Sequence, residues 1–213
     1  MKSKLQIALD DVTMEDAWKL LEKVHAIVDI VEVGTPFMME YGMEAVRKIK
    51  NSFPDLEVLC DTKIVDAGAY EADMAFQAGA DYVTVLGVTD ERTIADVVKA
   101  AAKAGKKVMA DMIRAADLGK RIARIEELGV DVIAVHTGVD QQAMGRTPLD
   151  DLKEMRACVK HTALAVAGGI KPETIDEYLK YKPEIVIVGG GIAHTSDPAA
   201  AAEELAKHIR STE

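Results

Sequence analysis

Cysteines and long apolar runs are scarce in this sequence of 213 residues. The two cysteines, Cys60 and Cys158, lie far apart and in no metal-ligand spacing, so we expect free thiols in a reducing cytoplasm. The first residues, MKSKLQIALDD, lack the apolar segment of a signal peptide or an anchor. No window approaches the roughly 18 apolar residues that a membrane helix needs. We therefore expect a cytoplasmic protein without a membrane partner.

Positive charge is also in short supply, with 26 Lys and Arg residues against 36 Asp and Glu residues, a net charge of −10. Such an acidic chain is not expected to bind nucleic acid or an anionic membrane, although a local pocket can still bind an anionic substrate. Stretches rich in Pro, Gly or Ser, which could divide the chain, are missing as well. With 49% hydrophobic residues, the chain can bury one sizeable core, and we predict a single domain over residues 1–213.

Short apolar runs rich in Val and Ile alternate with amphipathic segments along the whole chain. The runs are LQIALD (5–10), IVDIVEVG (27–34), VLCDTKI (58–64), YVTVLG (82–87), KVMADMI (107–113), DVIAVHTG (131–138), ALAVAGGI (163–170) and IVIVGGGI (185–192). Eight strand and helix units predict a parallel sheet, and a closed (β/α)8 TIM barrel accounts for them most economically. A doubly wound open sheet is the alternative. Thr13, Asp90 and Asp197 are expected to begin helices.

Charged residues and histidine gather at the carboxyl ends of the predicted strands. They are Asp10, Glu32, Asp61, Lys63 and His136. In a (β/α)8 barrel this end carries function, whereas the opposite end serves stability. Taken alone, Asp10 fits a turn residue and His136 fits a structural histidine. Their convergence on one rim favours an active site.

The strand period of two places Asp61 and Lys63 on the same face, so that both point into the mouth of the barrel. Together with Asp10, Glu32 and Asp66, they bring four carboxylates near one ammonium group. Such a cluster needs protons or a cation to offset its charge. Glu32 and Asp61, on adjacent strands, are a reasonable Mg²⁺ site, with Mn²⁺ as the alternative ion. Lys63 is a candidate to stabilise a developing oxyanion.

Glycine pairs end the last two predicted strands. Gly168 and Gly169 follow strand seven, and Gly190 and Gly191 follow strand eight. Backbone N–H groups at such loops bind phosphate, and the loops after strands seven and eight are the usual place for this in barrels. We expect a phosphate site there.

Several residues have weaker claims on the site. Asp111 lies in strand five and is either close to the site or a satisfied buried group. The loop after strand six carries polar residues that are expected to touch substrate or form a lid. They are Thr137, Asp140, Gln142 and Arg146.

The motif D-x-K-x-x-D (Asp61, Lys63, Asp66), with an Asp after strand one and the glycine loops, resembles the orotidine-5′-phosphate decarboxylase suprafamily. Within it, the chain is similar to the 3-hexulose-6-phosphate synthase family over essentially its whole length. The segments that carry this resemblance are IVEVGTP (30–36), DAGAYEADMAFQAGAD (66–81), TVLGV (84–88) and VHTGVDQQAMGRTPLDDL (135–152).

The resemblance implies a homodimeric barrel that joins formaldehyde to D-ribulose 5-phosphate, reversibly and with Mg²⁺, through an enediolate. It implies that Glu32 and Asp61 hold the metal and that the glycine loops hold the phosphate. By the same resemblance, Asp10 and Lys63 contact the sugar and His136 is a proton-transfer candidate. The remaining catalytic residue, Asp66, reaches the partner's site.

Other functions on the same scaffold are alternatives. A 3-keto-L-gulonate-6-phosphate decarboxylase would share the barrel and the metal, but that family shows an HRSRD-like segment where this chain has HTGVD (136–140). It also shows an Arg after the strand-eight glycine, where this chain has Gly191. Orotidine decarboxylation would leave Glu32 without a role. A sugar-phosphate-binding protein without turnover is the last alternative, and the intact set of charged residues argues against it.

Overall fold

The computed structural model describes residues 3–211, with only the backbone of Val139. Eight parallel strands form a closed barrel in which each strand pairs with its neighbours in sequence and the last returns to the first. The strands are β1 (Lys4–Leu9), β2 (Ile30–Val33), β3 (Glu57–Ile64), β4 (Tyr82–Leu86), β5 (Lys107–Asp111), β6 (Val132–His136), β7 (Ala163–Ala167) and β8 (Ile185–Val188). The helices are α1 (Met14–Val24), α2 (Thr35–Tyr41), α3 (Met43–Ser52), α4 (Gly68–Gln77), α5 (Glu91–Ala104), α6 (Leu118–Glu127), α7 (Val139–Ala143), α8 (Pro148–Cys158), α9 (Ile175–Leu179), α10 (Gly190–Ala193) and α11 (Pro198–Ser211).

Pairing between the first and last strands decides between the two predicted sheet topologies. Residues 4–7 of β1 pair in parallel with residues 185–188 of β8, which closes the barrel. An open, doubly wound sheet would leave these two strands as unpaired edges. The predicted (β/α)8 TIM barrel is therefore confirmed.

Alternating side chains of the strands build two separate cores, one inside the barrel and one between the barrel and its helices. Ile30 and Leu59 lie in the inner cluster, whereas Val31 and Val33 belong to the outer one. Because both faces of each strand are covered, the strands are apolar throughout rather than alternating with polar residues. Polar side chains on this sheet are therefore the exceptions that need an explanation.

Helix starts follow the predicted capping residues. The Thr13 hydroxyl accepts a hydrogen bond from the N–H of Asp16 at 3.1 Å before α1, and the Asp197 carboxylate accepts one from the N–H of Ala200 at 3.1 Å at the start of α11. Asp90 precedes α5 in an extended conformation, but its side chain makes no capping bond. Over residues 3–211, every helix is too short or too polar to span a bilayer.

Strand β3 is irregular near its carboxyl end, where its register with β4 shifts between Cys60 and Ile64. Lys63 has a φ of +47°, in the left-handed region that non-glycine residues rarely adopt. The shift is held by β4, since Thr62 Oγ1 donates to the Thr84 carbonyl and the Lys63 N–H donates to Thr84 Oγ1, each at 2.8 Å. We predicted that Asp61 and Lys63 share a face because side chains alternate regularly along a strand. That reason was wrong, because β3 is not regular between these residues.

Candidate active site

A cavity of about 650 Å³ opens at the carboxyl ends of the strands. All eight strands contribute to its walls, together with residues of the loops and short helices that follow them. The predicted site residues that line it are Asp10, Glu32, Asp61, Lys63, Asp111, His136, Gln142, Gly168, Gly169 and Gly190. The structure therefore brings together most of the residues that the strand-end pattern singled out.

Asp61 is the most heavily hydrogen-bonded carboxylate of the cavity. Lys63 Nζ pairs with its Oδ2, which also accepts from Thr35 Oγ1 at 2.8 Å, and Thr84 Oγ1 donates to its Oδ1 at 2.7 Å. Burial acts to raise the pKa of Asp61, but the charge and hydrogen bond of Lys63 and the two hydroxyls outweigh it and lower the pKa. Asp61 is therefore an anion held in one orientation.

Glu32 lies in the interior of the barrel, level with Ala8 of β1 and Leu59 of β3. Its Oε2 accepts a hydrogen bond of 2.6 Å from Nε2 of the buried Gln6. Burial first, and then the charges of Asp61 and Asp10, raise the pKa of Glu32 well above its usual range. Burial and Asp61 also raise the pKa of Asp10. The cavity carries more negative charge than Lys63 can neutralise.

This donor set fits a hard divalent cation. A divalent cation bound to the Glu32 carboxylate would favour its charged form. Without a cation, burial and the neighbouring carboxylates favour the neutral form. Gln6 Oε1 is a buried polar atom for which the described residues supply no partner, and it lies on the side chain that orients Glu32. Within residues 3–211, no three acidic, His or Cys side chains converge tightly enough to hold an ion alone. Water and substrate oxygens would have to complete the coordination, as is usual for Mg²⁺.

His136 and Asp111 form a hydrogen-bonded pair on the opposite wall. His136 Nδ1 lies 2.8 Å from Asp111 Oδ2, and Lys63 Nζ lies 3.7 Å from the same oxygen. Because a carboxylate accepts, Nδ1 carries the proton and Nε2 is the ring nitrogen left for chemistry. Burial acts to lower the pKa of His136, but the hydrogen bond and the charge of Asp111 outweigh it and raise the pKa. The Asp111 Oδ1 atom accepts from the N–H of Ile113 at 2.9 Å, which fixes the carboxylate.

Replacing Asp111 by Asn is expected to lower the pKa of His136, because the charge that favours the imidazolium is removed. Whichever limb of the pH–rate profile His136 governs should then move toward acid pH. Titration of the His136 ring by NMR in both proteins measures the shift directly, with the ring of His25, the exposed residue that ends α1, as the internal control. An unchanged His136 titration would contradict the role given to Asp111.

Glycine is required where the β7 loop lines the cavity. Gly168 and Gly169 have φ values of +116° and +64°. A Cβ at Gly168 would lie 2.8 Å from Pro148 Cγ and 3.1 Å from Gln142 Nε2, too close for any other residue. Gly190 lines both this cavity and a neighbouring one of about 680 Å³, whereas Gly191 lines only the neighbouring one. Gly191 packs against the Ile170 carbonyl, which gives it a structural reason to be glycine.

Comparison with known proteins assigns the chain to a family. The model of the orotidine 5′-phosphate decarboxylase / HUMPS family matches residues 3–205. The chain belongs to this family. It is 46% identical over 206 residues to the 3-hexulose-6-phosphate synthase of Bacillus subtilis (strain 168), covering 97% of this chain and 98% of that protein.

Solved structures agree with the membership of the orotidine 5′-phosphate decarboxylase / HUMPS family. A crystal structure of 3-hexulose-6-phosphate synthase from Salmonella typhimurium superposes with a TM-score of 0.96 at 48% identity, covering 99% of this chain and 100% of that one. The 3-keto-L-gulonate-6-phosphate decarboxylase of Vibrio cholerae covers 100% of both chains with a TM-score of 0.88 at 29% identity. The resemblance drawn from the sequence motifs is confirmed.

Besides Gly191 and Arg146, which line neighbouring cavities, three further predicted residues lie outside the cavity of about 650 Å³. Asp66 is exposed in the loop between β3 and α4, and Asp140 is exposed on α7. Thr137 is fully buried, and its hydroxyl donates to Asp151 Oδ2 at 2.6 Å rather than facing the cavity. The expectation that the Thr137 side chain touches substrate is not supported by this position.

The strand-end pattern missed residues that line the cavity or hold its carboxylates in place. Thr35 and Thr84 hold Asp61, and Gln6 holds Glu32. Thr84 and Gln6 are polar residues inside apolar strands, which is a signal that the sequence does carry. His194 lies at the cavity mouth with Nε2 at 3.0 Å from Asp11 Oδ1, and about half of its side chain is exposed.

Proposed function

We propose that this chain is a 3-hexulose-6-phosphate synthase, an aldehyde-lyase that joins formaldehyde to D-ribulose 5-phosphate and gives D-arabino-hex-3-ulose 6-phosphate. The observation that carries the proposal is 46% to 48% identity over nearly the whole chain to proteins of that name. The structurally similar decarboxylase from Vibrio cholerae is 29% identical. Substrate, cofactor and partner are parts of the proposal.

The chemistry requires loss of a proton from C1 of ribulose 5-phosphate, formation of a bond from C1 to the formaldehyde carbon, and a proton for the formaldehyde oxygen. Negative charge develops on neighbouring sugar oxygens after the first step. Lys63 can stabilise it, since burial lowers its pKa but Asp61 and Asp111 more than compensate and keep the ammonium charged. The Lys63 ammonium is also fixed in direction by Asp61 and by Thr35 Oγ1, 3.1 Å away.

His136 is the proton-transfer group of the proposal. Its ring lines the cavity, and Asp111 fixes both its orientation and its tautomer. Asp10, across the mouth, contacts sugar hydroxyls. Opposite the charged cluster, the backbone N–H groups of Gly168, Gly169 and Gly190 receive the phosphate.

Glu32 and Asp61 are the residues that would hold Mg²⁺, or Mn²⁺ in its place. When bound, the ion would supply Lewis-acid charge to adjacent sugar oxygens. A protonated Glu32 cannot act as a ligand, and its pKa is raised. Metal affinity should therefore rise with pH as Glu32 loses its proton.

Removal of divalent ions by a chelator is expected to abolish turnover, and added Mg²⁺ should restore it. Mg²⁺ at about 100 times its dissociation constant should also stabilise the folded protein by roughly 2.7 kcal/mol. Glu32→Gln should lose this stabilisation in thermal unfolding, whereas Asp55→Asn, at the opposite end of β3, should keep it. Full activity after exhaustive chelation would exclude the metal from the proposal.

A homodimer is the proposed assembly, and an apolar patch beside Asp66 supports it. The patch consists of Val65, Tyr70, Met74 and Val88, whose exposed fractions are 57%, 71%, 43% and 49%. Contiguous exposed apolar residues of this kind are typical of protein interfaces. Burial of the patch against a second copy would carry the exposed Asp66 carboxylate to a neighbouring chain. The proposed location is the cytoplasm, in keeping with two free thiols.

The direct test mixes purified protein with Mg²⁺, ribulose 5-phosphate and formaldehyde and follows the loss of formaldehyde. We expect loss that depends on all three additions and the appearance of a hexulose 6-phosphate. The rival decarboxylase function predicts CO₂ release from 3-keto-L-gulonate 6-phosphate instead. CO₂ release without formaldehyde consumption would overturn the proposal in favour of the decarboxylase.

A further inference from the structure

The loop between β6 and α8 is anchored at both of its ends by one buried carboxylate. Asp151, on α8, accepts from Thr137 Oγ1 at 2.6 Å and from Arg146 Nε at 2.7 Å. Thr137 follows β6 directly, and Arg146 lies just before α8. The carboxylate therefore ties the start and the end of the loop to the same helix.

Gln142, in the middle of this loop, bends back to the barrel. Its Nε2 donates to the Thr137 carbonyl at 2.7 Å, and its amide covers the β7 glycine pair. A Cβ at Gly168 would lie 3.1 Å from Gln142 Nε2, and one at Gly169 would lie 3.4 Å from its Oε1. Gln142 thus sits against the segment to which the phosphate has been assigned, and it lines the same cavity.

The Gln142 amide has hydrogen-bonding capacity to spare. One of its two N–H donors is used by the Thr137 carbonyl, and within residues 3–211 no protein group accepts from the other or donates to Oε1. A side chain whose conformation is fixed but whose remaining donor faces a cavity is well suited to bind a ligand. The roles proposed so far for the cavity residues use neither the second N–H of Gln142 nor its Oε1.

We propose that Gln142 is a further substrate-binding residue, donating its second N–H to the phosphate end of the bound sugar phosphate. The proposal rests on the proposed function. Thr137 and Asp151 are positioning residues in it, because they fix the loop and present the carbonyl that orients the amide. Asp140, on the same loop but exposed, has no part in this arrangement.

Equilibrium binding of ribulose 5-phosphate, measured by calorimetry with Mg²⁺ and without formaldehyde, tests the inference. A hydrogen bond to a charged group is worth enough that Gln142→Ala should weaken binding roughly 10- to 100-fold. Gln142→Glu keeps the shape, removes both donors and adds a negative charge, so it should weaken binding further. Gln141→Ala and Gln141→Glu are the matched controls, since Gln141 does not line the cavity that Gln142 lines and lies in a neighbouring one beside Arg114 and Leu118.

A double-mutant cycle separates positioning from a general structural effect. Thr137→Val removes the hydroxyl that Asp151 holds while keeping the buried shape, and it should weaken binding in the wild-type background. In the Gln142→Ala background it should add little, because the side chain that it positions is already gone. Equal losses in both backgrounds would overturn the positioning role.

Failure of the inference and failure of the proposed function give different results. If the wild type binds ribulose 5-phosphate and the Gln142 variants bind it within about threefold of wild type, a difference of about 0.65 kcal/mol, the inference falls and the function stands. If the wild type itself does not bind the sugar phosphate, both fall. If Gln142→Ala binds ribulose 5-phosphate more weakly than wild type, Gln142→Glu binds it more weakly still and both Gln141 variants bind it like wild type, the inference and the proposed function are both supported.

Discussion

Asp61→Asn is expected to lower kcat/KM by about a thousandfold or more, at the upper end of what removal of one electrostatic group does in enzymes. Asp61 orients Lys63, accepts from Thr35 and Thr84, and is one of two proposed metal ligands. An amide keeps the shape but supplies one acceptor where the carboxylate supplies two, and it carries no charge. We therefore expect the Lys63 ammonium to be held less firmly in its direction and the affinity for a divalent cation to fall.

The fold should survive this substitution better than the activity. Lys63 keeps a second carboxylate, since its Nζ lies 3.7 Å from Asp111 Oδ2. Loss of the Asp61 charge also removes one of the causes that raise the pKa of Glu32. We therefore expect the free energy of unfolding to fall by less than the roughly 3–5 kcal/mol lost when a buried ion pair is simply broken.

Steady-state kinetics and urea unfolding of the same preparation measure the two effects separately. Asp55→Asn, exposed before the same strand at the opposite end, is the matched control and should keep full activity. Activity of Asp61→Asn within about threefold of wild type, or about 0.65 kcal/mol, would show that Asp61 neither holds a metal nor sets the Lys63 geometry.

Residues on regular strands could be placed from the sequence. Glu32 pairs in register with β1 and β3, so the period of two put it inside the barrel with Ile30. His136 likewise ends a strand whose pairing with β7 is regular from Val132 to His136. Because parallel strands bring their carboxyl ends to one rim, the composition of that rim follows from the strand pattern alone.

Residues on irregular backbone could not be placed from the strand pattern. The register shift in β3 and the left-handed conformation of Lys63 have no signature in the period of two, although Lys63 still meets Asp61. Thr137 follows a regular strand, but its hydroxyl finds a buried carboxylate 14 residues later in the chain, a contact that only the packed loop shows. The exposed position of Asp66 likewise depends on where the loop leaves the strand.

A mixture of Lys63→Ala and Asp66→Ala subunits is expected to regain activity that neither variant has alone. Each variant should be nearly inactive, because each homodimer lacks one group in both of its sites. In a mixed dimer, the site with an intact Lys63 would receive the partner's Asp66, while the other site lacks both groups. Random exchange of equal amounts makes about half of the dimers mixed, so about a quarter of wild-type activity should return.

The position of Asp66 makes this result depend on the partner subunit rather than on local structure. Asp66 is exposed beside the apolar patch and lines no part of its own cavity, so a purely intramolecular role predicts little loss in Asp66→Ala and no rescue. Mass spectrometry of differently tagged subunits shows whether exchange has occurred. As a control, Lys63→Ala mixed with Asp61→Asn should give no rescue, because both changes fall in the same half of the composite site and no mixed dimer contains an intact one. Complete exchange without recovery in the first mixture would rule out a shared active site.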